Sequence, residues 1–160
     1  MPAVPFKLRT YTPEDFETLY AIDQVCYEPA VAYSRRELQN YLRFPGAECV
    51  IAEAAARPGN RRRSHSVGFV LTAREDDWGY IITMDVLAKH RRRGIASALL
   101  AEAERRLAAQ GVREIELETA VNNQAAITFW KEHGYAAQGV VEGYYPGGVD
   151  AFRMHKSLPS

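Results

Sequence analysis

The stretch VLAKHRRRGIASALL (86–100) runs apolar, turns strongly cationic, breaks at Gly94 and becomes apolar again. A strand over 78–87 leads into it and a helix over 95–111 leaves it, with apolar residues at helical spacing and Gly111 at its end. The first N–H groups of a helix have no intrahelical partner and sit beside a partial positive charge. An anion placed there accepts several of those N–H bonds, provided that the backbone can approach closely. Gly94, Ala96 and Ser97 are small enough for that, and Arg91, Arg92 and Arg93 supply the field. No GK[ST] follows and no GxGxxG is present, so this is neither a P-loop nor a dinucleotide fingerprint. On these residues alone, a solvated basic turn ahead of a core helix fits as well as an anion cradle.

The remaining elements are read outward from that helix. FKLRTYT (6–12) alternates as a strand, and Thr12-Pro13-Glu14-Asp15 opens a helix that carries Phe16, Leu19, Tyr20 and Ile22 and fades near Tyr27. Residues 28–33 form a loop, and Ser34 caps a second helix through Leu38, Tyr41 and Leu42. ECVIAEAA (48–55) is a strand and RPGNRRRSHS (57–66) a loop. VGFVLTARE (67–75) and WGYIITMDVL (78–87) pair around Asp76-Asp77. REIELETA (113–120) alternates, NNQAAITFWKEHG (122–134) is a short helix, and AAQGVVEGYY and GVDAFRMHKSL are strands joined at Pro146-Gly147-Gly148. The fold class is therefore α/β (α+β): a mixed, mostly antiparallel sheet of about seven strands with four helices.

The chain of 160 residues suits one domain, 1–160. Its 47% apolar and 25% charged residues are ordinary for a soluble globular protein. The formal net charge is zero, so any anion site is local, and general affinity for nucleic acid or anionic membrane is not expected. The run Arg61–Arg63 reads as a solvated loop. Cys26 and Cys49 lack metal-ligand spacing and read as small buried side chains. His65, His90, His133 and His155 are scattered, and no metal is expected. MPAVPFKLR meets a charge before any apolar run, and no stretch reaches the length of a membrane span, so the expected location is cytoplasmic.

The segment VLAKHRRRGIASALL resembles the signature of the GNAT superfamily of acyl-CoA-dependent N-acyltransferases, [Q/R]xxGx[G/A], here Arg91-Arg92-Arg93-Gly94-Ile95-Ala96. LETAVNNQAAITFWKEHGY (117–135) and GYYPGGVDAFRM (143–154) are similar to the branch that acetylates protein N-termini, including the ribosomal-protein alanine acetyltransferase. The resemblance implies a splayed strand pair that binds acetyl-CoA. It puts the pyrophosphate on Arg91–Ser97 and the pantetheine arm on backbone near Val86 and Ala88. Asn123 would contact the cofactor from the opposite strand, and it also suits a helix cap.

Acyl transfer to an amine needs a neutral amine. A peptide α-amine, with a pKa near 7.8, is about one-seventh neutral at pH 7, and a lysine well under one-thousandth. A base acting through water is then sufficient for an α-amine. Glu118 is that candidate: Glu114, Glu116 and Glu118 share one face of their strand, and Glu118 sits at its C-terminal end and matches the family's glutamate. Tyr80 matches a tyrosine that orders the water in close relatives, and equally suits a packed strand aromatic. Where the family usually has a tyrosine that protonates the leaving thiolate, this chain has Trp130, which either hydrogen-bonds the sulfur or packs. Water, Tyr144 or Tyr145 would then substitute. Tyr144 and Tyr145 match the hairpin that clasps a substrate peptide, and Tyr27 and Tyr33 lie in the loop expected to close over its other side.

The acceptor implied is a protein or peptide N-terminus, with a small-molecule amine as the alternative and a monomer or homodimer as the assembly. A non-catalytic acyl-CoA binder is the reading that Trp130 would favour.

Overall fold

The computed structural model describes residues 5–55 and 65–159. Its elements follow in the order β1 (Phe6–Thr10), a 3₁₀ turn (Pro13–Asp15), α1 (Phe16–Cys26), α2 (Arg35–Arg43), β2 (Glu48–Ala54), β3 (His65–Glu75), β4 (Trp78–Val86), a second 3₁₀ turn (Ala88–His90), α3 (Ile95–Ala109), β5 (Glu114–Ala120), α4 (Gln124–Glu132), β6 (Ala136–Val141) and β7 (Ala151–Ser157). Seven strands and four α-helices in the expected order make the mixed α/β fold. Local chemistry sets the helix starts. The Ser34 hydroxyl accepts the Glu37 N–H at 3.1 Å while the Glu37 carboxylate accepts the Ser34 N–H at 3.0 Å, a complete capping box. Gly111, at φ +91, closes the turn after α3.

The sheet runs β1-β2-β3-β4-β5-β7-β6, antiparallel throughout except for β4 against β5. The last strand thus slots in beside β5 and leaves β6 on the edge. Several boundaries differ from the sequence reading: β1 stops at Thr10, α4 covers Gln124–Glu132 and β7 starts at Ala151. Part of the predicted 57–66 loop, residues 57–64, lies outside the described residues, as do Arg61–Arg63, and His65 and Ser66 already belong to β3. The strand expected over 136–145 ends at Val141. Gly143 turns the chain at φ +61 and donates its N–H to Asp150 Oδ1 at 2.8 Å, so Tyr144 and Tyr145 sit in the connecting loop. Among the described residues no helix is long and apolar enough to cross a membrane.

Apolar faces cover both sides of the sheet. Leu99, Leu100, Ala103 and Leu107 of α3 pack with Val50, Val70, Ile81 and Ile115 on one side. Phe16, Leu19 and Ile22 of α1 and Leu38 of α2 pack with Ile51, Phe69 and Leu71 on the other. One irregularity decides what β4 presents to each. The register against β3 goes from Leu71↔Thr83 to Thr72↔Ile81, so Ile82 is an extra, bulged residue. Beyond it Thr83 and Asp85 lie opposite Leu71 and Phe69, on the α1 side, and Met84 lies opposite Val70, on the α3 side. The β3 backbone approaches this half of β4 closely: a Cβ on Gly68 would stand 2.6 Å from the Asp85 carbonyl oxygen. Gly68→Ala is therefore expected to cost roughly 1–3 kcal/mol in urea denaturation. Gly139→Ala, where a Cβ meets nothing within 4 Å, should be neutral or slightly stabilising.

Candidate active site

Parallel pairing between β4 and β5 consists of Trp78↔Glu114, Gly79↔Ile115 and Tyr80↔Glu116 and then stops. Beyond Tyr80 the strands part around a cavity of about 540 Å³, walled by Ile81–Val86 of β4, Leu117–Ala120 of β5 and the first turns of α4. The carbonyls that β4 would have offered to β5 take side-chain donors instead. Tyr33 Oη donates to Ile82 O at 3.1 Å and Tyr27 Oη to Met84 O at 2.8 Å. Val86 O accepts from Arg91 Nε at 2.9 Å and from the Cys26 thiol at 3.5 Å. Burial pushes the Tyr27 and Tyr33 phenols well above their ordinary range and the Cys26 thiol up to about 11, so all three keep their protons at neutral pH. Both tyrosines line the cavity with their hydroxyls already engaged, which leaves their rings, not their hydroxyls, for a ligand. Cys26 departs from the expected buried cysteine, since it lines the cavity as a weak donor, whereas Cys49 is buried in the core.

At the far end lies the turn before α3. Arg92 adopts φ +61 and Gly94 φ +82, and α3 begins immediately after. The first intrahelical bond at this end runs from Ala98 N to Gly94 O at 3.0 Å, leaving the N–H groups of Ile95, Ala96 and Ser97 without helical acceptors. A Cβ on Gly94 would meet nothing within 4 Å, so the space before those N–H groups is open. Arg92 and Arg93 are exposed, whereas the Ile95 side chain is core and has only its N–H to offer. Arg91, expected to hold an anion, turns its Nε back onto Val86 O, which also engages the Val86 carbonyl expected to face a ligand. Val86, Arg91 and Ala96 line the cavity, and Ala88, Arg92, Arg93, Gly94, Ile95 and Ser97 lie outside its walls. Ser97 Oγ is hydrogen-bonded to His133 Nε2 at 3.0 Å, tying this turn to the end of α4.

The other end is acidic and aromatic. Glu118 lines the cavity, accepts from Arg153 Nη2 at 3.1 Å and lies 3.5 Å from Tyr144 Oη. Tyr145 Oη reaches the Glu118 carbonyl at 3.5 Å, and burial pushes its phenol up to about 12. The two tyrosine rings meet edge to face at 4.8 Å. Tyr145 lines the cavity and Tyr144 stands outside it, 42% exposed. Tyr80 is not in the cavity wall; it sits opposite Glu116 in register, close enough that burial first and then Glu116, Glu75 and Glu118 raise its phenol. Glu114 and Glu116, expected as plain exposed carboxylates, hold cross-strand partners on β7: Glu114 with His155, and Glu116 with Arg153 at 2.7 Å.

On α4, Asn123 accepts the Ala126 N–H at 3.1 Å as the cap and also lines the cavity. Trp130 is buried, edge to face with Phe129 at 5.1 Å and Tyr135 at 5.4 Å, and it also lines the cavity.

Sequence reading missed Arg153, which braces Glu118 from β7, and it missed Asp23 and Asp85. Both acids are 1% exposed and both line the cavity. Each left a trace: Asp23 falls on the apolar stripe of α1 between Leu19 and Cys26, and Asp85 is the one acid in the apolar run YIITMDVL.

Residues 16–135 match the family described as acetyltransferase (GNAT). N-alpha-acetyltransferase MAK3 of Arabidopsis thaliana is 35% identical over 81 residues, 51% of this chain and 43% of that protein. The chain spans about half the length of the curated relatives it matches. The crystal structure of Ard1 from Thermoplasma volcanium superposes with a TM-score of 0.84 at 22% identity, covering 97% of this chain and 99% of that one. Arabidopsis thaliana NAA60 in complex with acetyl-CoA gives 0.81 at 22% identity over 96% and 99%. At such identities the structural likeness is one of fold. The family match over most of the sequence, on a sheet whose parted strands lead to a glycine-broken basic turn, shows that the chain belongs to the acetyltransferase (GNAT) family.

Proposed function

We propose that residues 1–160 form one N-acetyltransferase domain that moves an acetyl group from acetyl-CoA to the N-terminal α-amine of a protein. The observation that carries this reading is the continuity of the cavity. It begins beside the open N–H groups of α3, follows the parted edge of β4 and ends at Glu118 and Tyr145. The residues present fit a diphosphate-bearing cofactor: three unpartnered N–H groups, an unfilled space before Gly94 and the exposed Arg92 and Arg93. Ala96 and Asn123 would flank it from α3 and α4 with Val86 alongside, while Ala88 stands outside the cavity wall. Acetyl-CoA bound there would supply the acetyl group as an activated thioester. Among relatives, the name N-alpha-acetyltransferase supports an α-amine as acceptor.

The chain's own residues then divide the work. Arg153 holds the Glu118 carboxylate at the cavity mouth, where it takes the amine's proton through water. The aromatic walls of Tyr33, Tyr144 and Tyr145 close around the first residues of an acceptor peptide. Tyr80, beside Glu116 and within the field of Glu118, helps to order the relaying water. Tyr145 retains its proton through the physiological range and so serves as a hydrogen-bond donor more than as a proton source. Trp130 lines the cavity, but its indole N–H can only donate a hydrogen bond and supplies no acid.

Peptides differing in their first two residues, incubated with acetyl-CoA, are expected to be acetylated when the α-amine is free and not when it is blocked. Acetylation confined to polyamines, or absent throughout, would contradict this reading. Turnover should rise with pH toward the acceptor's α-amine pKa of about 7.8, as the neutral fraction grows. Glu118→Gln should lower kcat by about 10²-fold or more with the KM for acetyl-CoA little changed. An unchanged kcat would remove Glu118 from the chemistry.

A further inference from the structure

Two buried carboxyl groups line the floor of the cavity, and among the described residues neither forms an ion pair. Asp23, from α1, and Asp85, from the half of β4 beyond the bulge, are each 1% exposed, and each lies near enough to perturb the other. Asp23 Oδ2 accepts the Tyr33 N–H at 2.9 Å, and Asp85 Oδ1 accepts the Thr83 hydroxyl at 2.7 Å. Asp85 Oδ2 has no donor. Two carboxylates this close and this buried cannot both be charged, and an acceptor oxygen without a donor costs on the order of its full desolvation penalty. One proton on Asp85 Oδ2, donated to Asp23, removes both problems. Among the described residues no group of three or more His, Cys, Asp or Glu converges that could hold a metal ion there instead. Burial and the neighbouring Asp23 both raise the Asp85 carboxyl well above the ordinary carboxylate range against the smaller lowering by Thr83 and Tyr27, and burial raises Asp23 as well, Asp85 and the Tyr33 N–H working the other way.

The pair stands where α1 meets β4. From Asp23 the chain runs through Cys26 and Tyr27 to Tyr33, the residues whose side chains satisfy Val86 O, Met84 O and Ile82 O. We infer that Asp23 and Asp85 share a single proton and act as a positioning pair, fastening α1 and its tyrosines to the parted half of β4. The cavity keeps its shape only while that proton is in place. Neither residue is assigned a chemical step, and only the consequence for coenzyme A rests on the function proposed above. The groups facing the pair are Cys26 and, beyond it, Arg91, with Tyr27 and Tyr33 from the loop, Thr83 from β4 and Cys49 from β2. Cys26, Cys49, Tyr27 and Tyr33 all stay protonated through neutral pH, so the pair is the group there that titrates on the acid side of them.

A carboxyl raised in the native state and ordinary in the unfolded chain binds its proton preferentially to the native state. Stability is therefore lost as pH rises from about 3.9 toward the raised value. Asp85→Asn keeps an N–H donor toward Asp23 and an acceptor for Thr83 and does not titrate, so it removes that slope. Asp85→Ala leaves the Asp23 carboxylate buried without its donor.

Melting temperatures of the wild type, D85N and D85A from about pH 5 to about pH 9, each with and without coenzyme A, provide the test. The D85N advantage over wild type should grow by at least about 3 °C across that range, with D85A below both. The stabilisation by coenzyme A should fade with rising pH in the wild type and hold steady in D85N. Parallel pH curves for wild type and D85N, or D85N as unstable as D85A, would overturn the shared proton. A coenzyme A effect that holds with pH in the wild type as it does in D85N would overturn the pair's hold on the cavity. If coenzyme A stabilises no variant at any pH, the failure belongs to the proposed function, and the slopes measured without it still decide the proton.

Discussion

A strand edge enclosed in protein must find donors for its carbonyl oxygens, and β4 loses its neighbour after Tyr80. Everything that distinguishes this sheet from an ordinary one follows from how that shortage is met. The Ile82, Met84 and Val86 carbonyls take Tyr33, Tyr27 and the Arg91–Cys26 pair as donors. Together the donors tie three elements to the parted edge: the loop after α1 through Tyr27 and Tyr33, the end of α1 through Cys26 and the turn before α3 through Arg91. A net hydrogen bond is worth only about 1 kcal/mol, but an unmet buried carbonyl costs more than that. Closing the cavity would strand those donors, and β5 is anchored away from that edge by Ile115 and Leu117 in the core on the α3 side.

The arrangement also explains the distribution of charge in a chain whose total is zero. Exposed Arg92 and Arg93 stand at one end of the cavity, and Glu116 and Glu118 at the other, the latter two held by Arg153 from β7. Separating the signs along one cavity gives it a direction, with a place for an anion and a place that can accept a proton. Because most of these groups are exposed, their mutual attraction adds little to stability. Their value lies in orientation.

Much of this was readable in the sequence, and the limits have physical causes. Helix starts and ends are local events, so Ser34, Gly94 and Gly111 marked them correctly. The alternation of REIELETA sorted Ile115 and Leu117 from the three glutamates because β5 is regular. β4 is not regular. A bulge at Ile82 adds one residue to the count, and an alternation rule then assigns Thr83 and Asp85 to the wrong side. Asp23 was hidden for a different reason: its meaning depends on a partner that only the packing of α1 against β4 supplies. The engagement of Arg91 with Val86 O was equally out of reach, since the sequence shows a cation beside a glycine and not where its guanidinium turns. Trp130 meets both readings the sequence allowed, since it packs in the core and also lines the cavity.

The central claim is that the glycine-broken turn before α3 binds the diphosphate of a coenzyme A thioester. Calorimetric titration of coenzyme A into the wild type and into the double variant Arg92→Glu/Arg93→Glu tests it most directly. The account predicts saturable one-to-one binding that the reversed charges weaken by about tenfold or more. A wild-type chain that takes up no coenzyme A at millimolar concentration, or a charge-reversed turn that binds it as tightly, would contradict the account.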